Sequence, residues 1–178
     1  MNNNILKILI SKEELQQKVK ELGKMITEDY KDKDLMIVGV LKGCVIFLSD
    51  LIREIDLPLT MDFMVVSSYG SSTKSSGVVR IIKDLEKDIA GKDVLIVEDI
   101  VDTGLTLNYL VDYLKSRNAN SVKICTLLEK PDRRKAQVEL EYVGFRIPDE
   151  FVVGYGLDYA EVYRNLPFVC VLKPEVYS

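Results

Sequence analysis

Val94 to Thr106 reads VLIVEDIVDTGLT. The apolar run Val94-Leu95-Ile96-Val97 has the character of a strand buried on both faces, and it stops at two adjacent acids, Glu98 and Asp99. A third acid, Asp102, opens the turn Thr103-Gly104-Leu105-Thr106. Leu107, Leu110, Val111 and Leu114 then recur at helical spacing, which predicts a helix ending near Arg117-Asn118. The stretch is therefore a strand, a turn and a helix, with carboxylates on the strand side and phosphate-binding residue types in the turn.

Working outward, the same alternation repeats. Ser11-Lys12-Glu13-Glu14 has the form of a capping box, and Leu15, Val19, Leu22 and Ile26 follow at helical spacing. Leu35 to Leu41, LMIVGVL, is a second solid apolar run; Lys42-Gly43 breaks it, and Val45, Leu48, Ile52 and Ile55 mark a helix behind. Strands are expected over Met61 to Val66, Val78 to Ile82 and Val122 to Leu128. Shorter ones are expected around Tyr142 to Phe145, Phe151 to Gly154 and Phe168 to Leu172. Residues 67–77, SSYGSSTKSSG, carry almost nothing to bury and read as a long loop of the kind that serves as a lid. Solid apolar strands alternating with helices predict an α/β domain with a mainly parallel central sheet flanked by helices. In such sheets ligands bind beyond the carboxyl ends of the strands. That rule brings Leu41-Lys42-Gly43, Glu98-Asp99 and Glu129-Lys130 to one rim.

A chain of 178 residues is expected to form one domain, 1–178, with a substantial core. Its formal net charge of −4 disfavours a general nucleic-acid-binding surface. The start, MNNNILKILIS, lacks the pattern of a signal peptide, and no apolar run approaches the ~20 residues of a membrane span. A cytoplasmic protein without nucleic-acid or membrane partners is expected. There is no histidine, which removes Ser-His-Asp and Cys-His catalysis and His-ligated zinc. Cys44, Cys125 and Cys170 lie far apart in apolar runs and read as buried, reduced thiols. Proton transfer near neutral pH falls to carboxylates, Lys, Tyr, a thiol or the substrate.

Neither GxGxxG after a strand nor GxxxxGK[ST] occurs, so dinucleotide oxidoreductase and P-loop readings lose support. The 102–106 turn still has what a phosphate monoester needs: Gly104 permits close backbone approach, and Thr103 and Thr106 add hydroxyl donors. The helix N-terminus behind it favours a charge by a few tenths to about 1 kcal/mol. The plainer reading is that Thr103 or Thr106 caps the helix and that Glu98-Asp99 is a solvated strand end. Acids, Gly and Thr joined at one turn make that reading the weaker one. A ribose 5-phosphate places hydroxyls near its phosphate, and carboxylates accept from them. Magnesium combines one or two carboxylates with substrate phosphates and water. A sugar phosphate carrying a diphosphate and Mg2+ uses every part of the motif.

VLIVEDIVDTGLT resembles the phosphoribosyl diphosphate signature of the type I phosphoribosyltransferases. Over nearly the whole chain, VGVLKGCVIFLSDL, MDFMVVSSYG, VRIIKDL, LLEKP and VGFRIPDEFVVGYGLDYAEVYRNLP resemble one branch, the hypoxanthine-guanine phosphoribosyltransferases of purine salvage. The resemblance implies a small hood built by N- and C-terminal segments above the sheet, and substrates that are phosphoribosyl diphosphate and a purine base. Family members are often homodimers or homotetramers. It implies further that Glu98 and Asp99 bind the ribose hydroxyls, directly or with magnesium, and that Thr103, Gly104, Leu105 and Thr106 grip the 5-phosphate. Asp102 is implied as the proton acceptor at purine N7, Lys130 as donor to the exocyclic O6, Phe151 as the stacking ring and the Val152 backbone as a base-edge contact. Asp158 is implied to hold a second magnesium, and Arg164, Lys42 and Gly43 to bind diphosphate. In the family the Leu41-Lys42 peptide can be cis, and Ser68-Tyr69 lie on the lid. Leu105 stands where some relatives carry Lys, which leaves the loop to backbone and hydroxyl donors.

Taken singly, Phe151 reads equally as core packing or base stacking, Lys130 as a solvated strand end, and Arg164 as a surface Arg. Arg133-Arg134-Lys135 read as a solvated basic run able to steer an anionic substrate. An adenine or orotate phosphoribosyltransferase is disfavoured by Lys130 and the FVVGYGLDY segment. A regulatory protein that senses phosphoribosyl diphosphate while binding nucleic acid is disfavoured by the intact acids and the negative charge.

Overall fold

The first helix shows how closely local sequence is obeyed. The Ser11 side chain accepts from the Glu14 N–H while the Glu14 carboxylate accepts from the Ser11 N–H, closing the capping box. The computed structural model describes residues 2–68 and 79–178. In chain order the elements are β1 (Ile5–Ile10), α1 (Lys12–Asp29), β2 (Leu35–Leu41), α2 (Val45–Ile52), β3 (Thr60–Ser68), β4 (Val79–Lys83) and β5 (Asp93–Val101). Then come α3 (Leu105–Ser116), β6 (Ser121–Glu129), β7 (Tyr142–Arg146), β8 (Val152–Val153), β9 (Val169–Leu172) and α4 (Pro174–Tyr177).

Six strands form the central sheet in the order β4-β3-β2-β5-β6-β7. All its pairings are parallel except that of β4 with β3. The solid apolar strands follow from burial on both faces. Ile37, Leu95 and Val97 pack toward Leu15, Leu22, Phe47 and Leu48 of α1 and α2. Their alternates Met36, Val38, Val94 and Ile96 pack toward Leu107, Leu110 and Leu114 of α3. Each such aliphatic side chain stabilises the fold by about 1.5–3 kcal/mol relative to exposure.

A separate three-stranded antiparallel sheet, β1-β9-β8, joins the N- and C-terminal segments into the expected hood. Its core is Val153, Tyr163, Leu166, Cys170 and Leu172. No helix among the described residues is long and apolar enough to cross a membrane.

Several expectations need adjusting. The strand β5 does not stop at the acids: pairing with β6 continues through Val101 opposite Glu129, carrying Glu98 and Asp99 inside the strand. The helix α2 ends at Ile52, so Ile55 lies past it, although still buried. The strand expected over Phe151 to Gly154 shrinks to Val152–Val153, because Gly154 turns to φ 98° and leaves the extended region. The strand β1, ILKILI, was not expected as an element; it forms by pairing with β9. Val78, Tyr69 and nearly all of the 67–77 loop lie outside the described residues, and Ser68 is the last residue of β3.

Candidate active site

The strands β2, β5 and β6 are neighbours and run parallel, so their carboxyl ends share one rim. Leu41, Glu98-Asp99 and Glu129-Lys130 meet there as the α/β rule requires. The Lys130 N–H donates to the Val101 carbonyl at 3.0 Å, tying the end of β6 to the end of β5. The Leu41-Lys42 peptide is cis. Gly43 lies so close to β5 that a Cβ added to it would sit 1.8 Å from Asp99 Oδ2. Any other residue there would have to push the Asp99 carboxylate aside.

The turn after β5 is open to a ligand. Gly104 occupies the N-cap position of α3 with φ 79°, and no side chain closes the first helical turn. Neither Thr103 nor Thr106 caps the helix; Thr103 Oγ1 accepts only a long contact of 3.4 Å from the Leu105 N–H. The first-turn donors remain available to an anion. A cavity of about 200 Å³ opens here, lined by Glu98, Asp102, Thr103, Gly104, Thr106 and Leu107.

Beside this donor-rich turn the acids are under electrostatic pressure. Burial, and then the neighbouring Asp99 charge, push the Glu98 carboxyl well above its ordinary value. Burial raises Asp99 as well, opposed chiefly by the Ile100 N–H. Hydroxyl donors or a cation placed against the pair would relieve both. The cysteines take no part: burial, aided by Glu98 and Asp99, pushes the Cys44 thiol up to about 12, and burial raises Cys125 and Cys170.

Comparison with known proteins settles the family. Residues 8–160 match the phosphoribosyl transferase domain. The chain belongs to the phosphoribosyltransferase family. It is 59% identical over 178 residues to the hypoxanthine-guanine phosphoribosyltransferase of Bacillus subtilis (strain 168), covering all of this chain and 99% of that protein. It is 57% identical to the bifunctional protein TilS/HprT of Listeria monocytogenes serotype 4b (strain F2365), of whose length this chain spans 28%. The crystal structure of a hypoxanthine phosphoribosyltransferase from Staphylococcus aureus superposes with a TM-score of 0.98 at 57% identity, covering all of this chain and 97% of that one.

Most of the remaining expected residues of this phosphoribosyltransferase come from the end of β6 and from the strap at 149–164, which contains β8 and leads toward β9. Lys130 is 9% exposed, with Nζ 3.5 Å from Asp149 Oδ1. Phe151 is 37% exposed, at the edge of the hood rather than in its core. One neighbour, Tyr177 of α4, stacks with its ring at 4.5 Å between centroids, and Tyr159 meets it edge-on. Val152 pairs with Val171 in the hood sheet.

Asp158 pairs with Arg164 through one oxygen at 3.0 Å and accepts from the Glu161 N–H through the other, so both its oxygens are already engaged. Arg164 also donates to the Gly156 carbonyl at 2.7 Å, while its buried Nε finds no partner among the described residues. A buried donor left over in this way suits an anionic oxygen. Lys42 reaches across to Glu161 at 2.7 Å, and the strap touches the β2 loop where a Cβ on Gly156 would meet the Gly43 carbonyl at 2.2 Å.

The basic run needs correction. Arg133 contacts Asp102 at 2.6 Å, and Arg134, with its side chain 21% exposed, binds Glu129 at 2.8 Å and the Val138 carbonyl. Pro131 to Arg133 forms a 3-10 turn that folds the run back over the rim, and the N–H groups of Lys135 and Ala136 fasten it to the Thr103 carbonyl. Sequence spacing gave no sign that residue 133 meets residue 102. Pro131 at the start of a short turn was the one hint of a reversal.

Proposed function

We propose that this chain transfers the 5-phosphoribosyl group from phosphoribosyl diphosphate to N9 of a 6-oxopurine, hypoxanthine or guanine and also xanthine as a candidate base, releasing diphosphate. The products from hypoxanthine and guanine are IMP and GMP, and the role is purine salvage. One observation carries the reading. The Lys130 N–H is bonded to the Val101 carbonyl, immediately before Asp102, so the residues that carry an ammonium donor and a carboxylate acceptor are joined through the main chain at the rim. A 6-oxopurine presents O6 and N7 on one edge. Lys130 donates to O6, and Asp102 accepts the N7 proton as the bond from N9 to the anomeric carbon forms and the bond to diphosphate breaks. Adenine offers an amino donor where Lys130 needs an acceptor. The first turn of α3, with Thr103 and Thr106, takes the 5-phosphate, and Leu105 leaves that grip to backbone and hydroxyls. Lys42, Gly43 and Arg164 face the diphosphate, and Phe151 stacks on the base.

The acids suit a magnesium ion that arrives with its substrate. No group of three or more His, Cys, Asp or Glu able to cage a metal exists among the described residues. Two adjacent carboxylates, Glu98 buried beside a phosphate-sized cavity and Asp99 half-buried next to it, are nevertheless the donor set that magnesium shares with phosphates and water. Glu98 and Asp99 are the residues to hold it; Asp158 joins only if Arg164 yields a carboxylate oxygen. A magnesium ion held there would supply positive charge to the departing diphosphate.

Incubation with phosphoribosyl diphosphate, magnesium and each purine base tests the proposal. Nucleotide from a 6-oxopurine but not from adenine is expected, and no product from hypoxanthine, guanine or xanthine would sink it. The same reading makes the protein a cytoplasmic homodimer or homotetramer; a monomer mass in light scattering at assay concentration would remove the oligomer.

A further inference from the structure

Four charged side chains form a chain behind the base edge. Lys130 Nζ lies 3.5 Å from Asp149 Oδ1, Asp149 Oδ2 lies 3.5 Å from Arg133 Nη1, and Arg133 Nε lies 2.6 Å from Asp102 Oδ1. One carboxylate, Asp149, thereby touches the Lys assigned to O6 and, through Arg133, the acid assigned to N7. O6 and N7 are neighbours on the purine, so their two protein partners must keep a fixed separation. Resting on the 6-oxopurine reading above, we propose that Arg133 and Asp149 are positioning residues that set the spacing of Asp102 and Lys130.

Stability does not account for the arrangement. The side chains of Asp102, Arg133 and Asp149 are 43%, 46% and 47% exposed, and ion pairs so open to water add little to folding. Asp102 Oδ1 is buried against Arg133 Nε without an aligned hydrogen bond, so charge holds that oxygen while the side chain as a whole stays 43% exposed at the rim. The loop that carries Arg133 is anchored to the phosphate turn through the Thr103 carbonyl, so the spacing is also registered against the sugar phosphate.

The test is a double-mutant cycle in steady-state turnover of hypoxanthine. Arg133→Gln should lower kcat about tenfold, the scale of a misplaced catalytic group, while KM for phosphoribosyl diphosphate stays within about twofold. That loss should vanish in an Asp102→Asn background, and Arg133→Lys should recover most of it. Asp149→Asn should lower kcat/KM for hypoxanthine about tenfold, a loss that vanishes when Lys130 is already Ala. Wild-type kinetics in Arg133→Gln, or equal losses in both backgrounds, overturns the positioning role and leaves the 6-oxopurine reading standing. Absence of nucleotide from the unmutated protein removes both.

Discussion

The turn at 98–106 and the strap at 149–164 serve the same rim but are built by opposite means. The turn grows from a strand in register with both neighbours, and only Gly104 there departs from ordinary backbone. The strap has almost no regular structure. Gly154, Tyr155, Gly156, Ala160, Glu161 and Tyr163 all have positive φ, four of them without the freedom of glycine. It is held by two contacts distant in sequence, Tyr155 to Asp50 and Lys42 to Glu161, and by its own main-chain bonds from Tyr155 to Leu166 and from Gly156 to Arg164. A phosphate can be met by one turn because its oxygens are equivalent. A base and a leaving group on opposite sides of one carbon need groups from separate segments, and the irregular backbone supplies them.

The largest expected effect breaks the turn chemically. Asp102→Asn should lower kcat by about 10²–10⁴-fold with base affinity largely kept, as read by turnover and by calorimetry of purine binding. Wild-type turnover in that variant refutes the proton role.

Next, Gly156→Ala breaks the strap mechanically, since its Cβ would meet the Gly43 carbonyl at 2.2 Å. A stability loss of about 2–3 kcal/mol in denaturant unfolding and a raised KM for phosphoribosyl diphosphate are expected. Gly91→Ala is the control: φ is also positive there, at 77°, but nothing lies within 4 Å, so only the backbone term of about 1 kcal/mol should appear.

Lys130→Ala should weaken selection of hypoxanthine over adenine by about 1–3 kcal/mol in relative kcat/KM; unchanged selectivity would count against its assignment to O6.

Glu98→Gln sharpens the comparison through stability. The folded protein holds the Glu98 proton above the ordinary value of 4.5, so it binds more protons than the unfolded chain between 4.5 and the raised value. Stability falls as pH rises through that window. The Gln variant should therefore match the parent near pH 4.5 and become the more stable of the two as pH rises toward 8, with less activity. The smallest effect belongs to the strap's exposed tether. Glu161→Gln should leave the denaturant midpoint essentially unchanged, because both side chains of its pair with Lys42 are about two-thirds exposed.

What was legible in the sequence follows this division. LMIVGVL and VLIV announced strands buried on both faces, and Ser11 with Glu14 announced a helix start, because period and capping are local. The rim at Leu41, Glu98-Asp99 and Lys130 followed from parallel order alone. The extent of β5 did not, since its last residues are paired by β6 rather than by their own preference. The strand β1 was missed because its pattern is satisfied by a partner far along the chain. The ion pairs of Arg133, Arg134 and Glu161 were illegible for the same reason: a charge run looks alike in water and against a carboxylate until the fold brings the carboxylate.

Ile5 pairs with Leu172 and Ile10 with Val169, so the hood is closed by strands that lie at opposite extremes of the fold's sequence. On the ribosome these two strands emerge far apart in time. The central sheet is complete once Arg146 has been added, whereas β1 must wait, unpaired, for β9. Synthesis thus finishes the sheet and its rim first and the hood last. A chain interrupted between those moments would carry the cradle for sugar phosphate without the finished hood and its Phe151 ring to stack on a base.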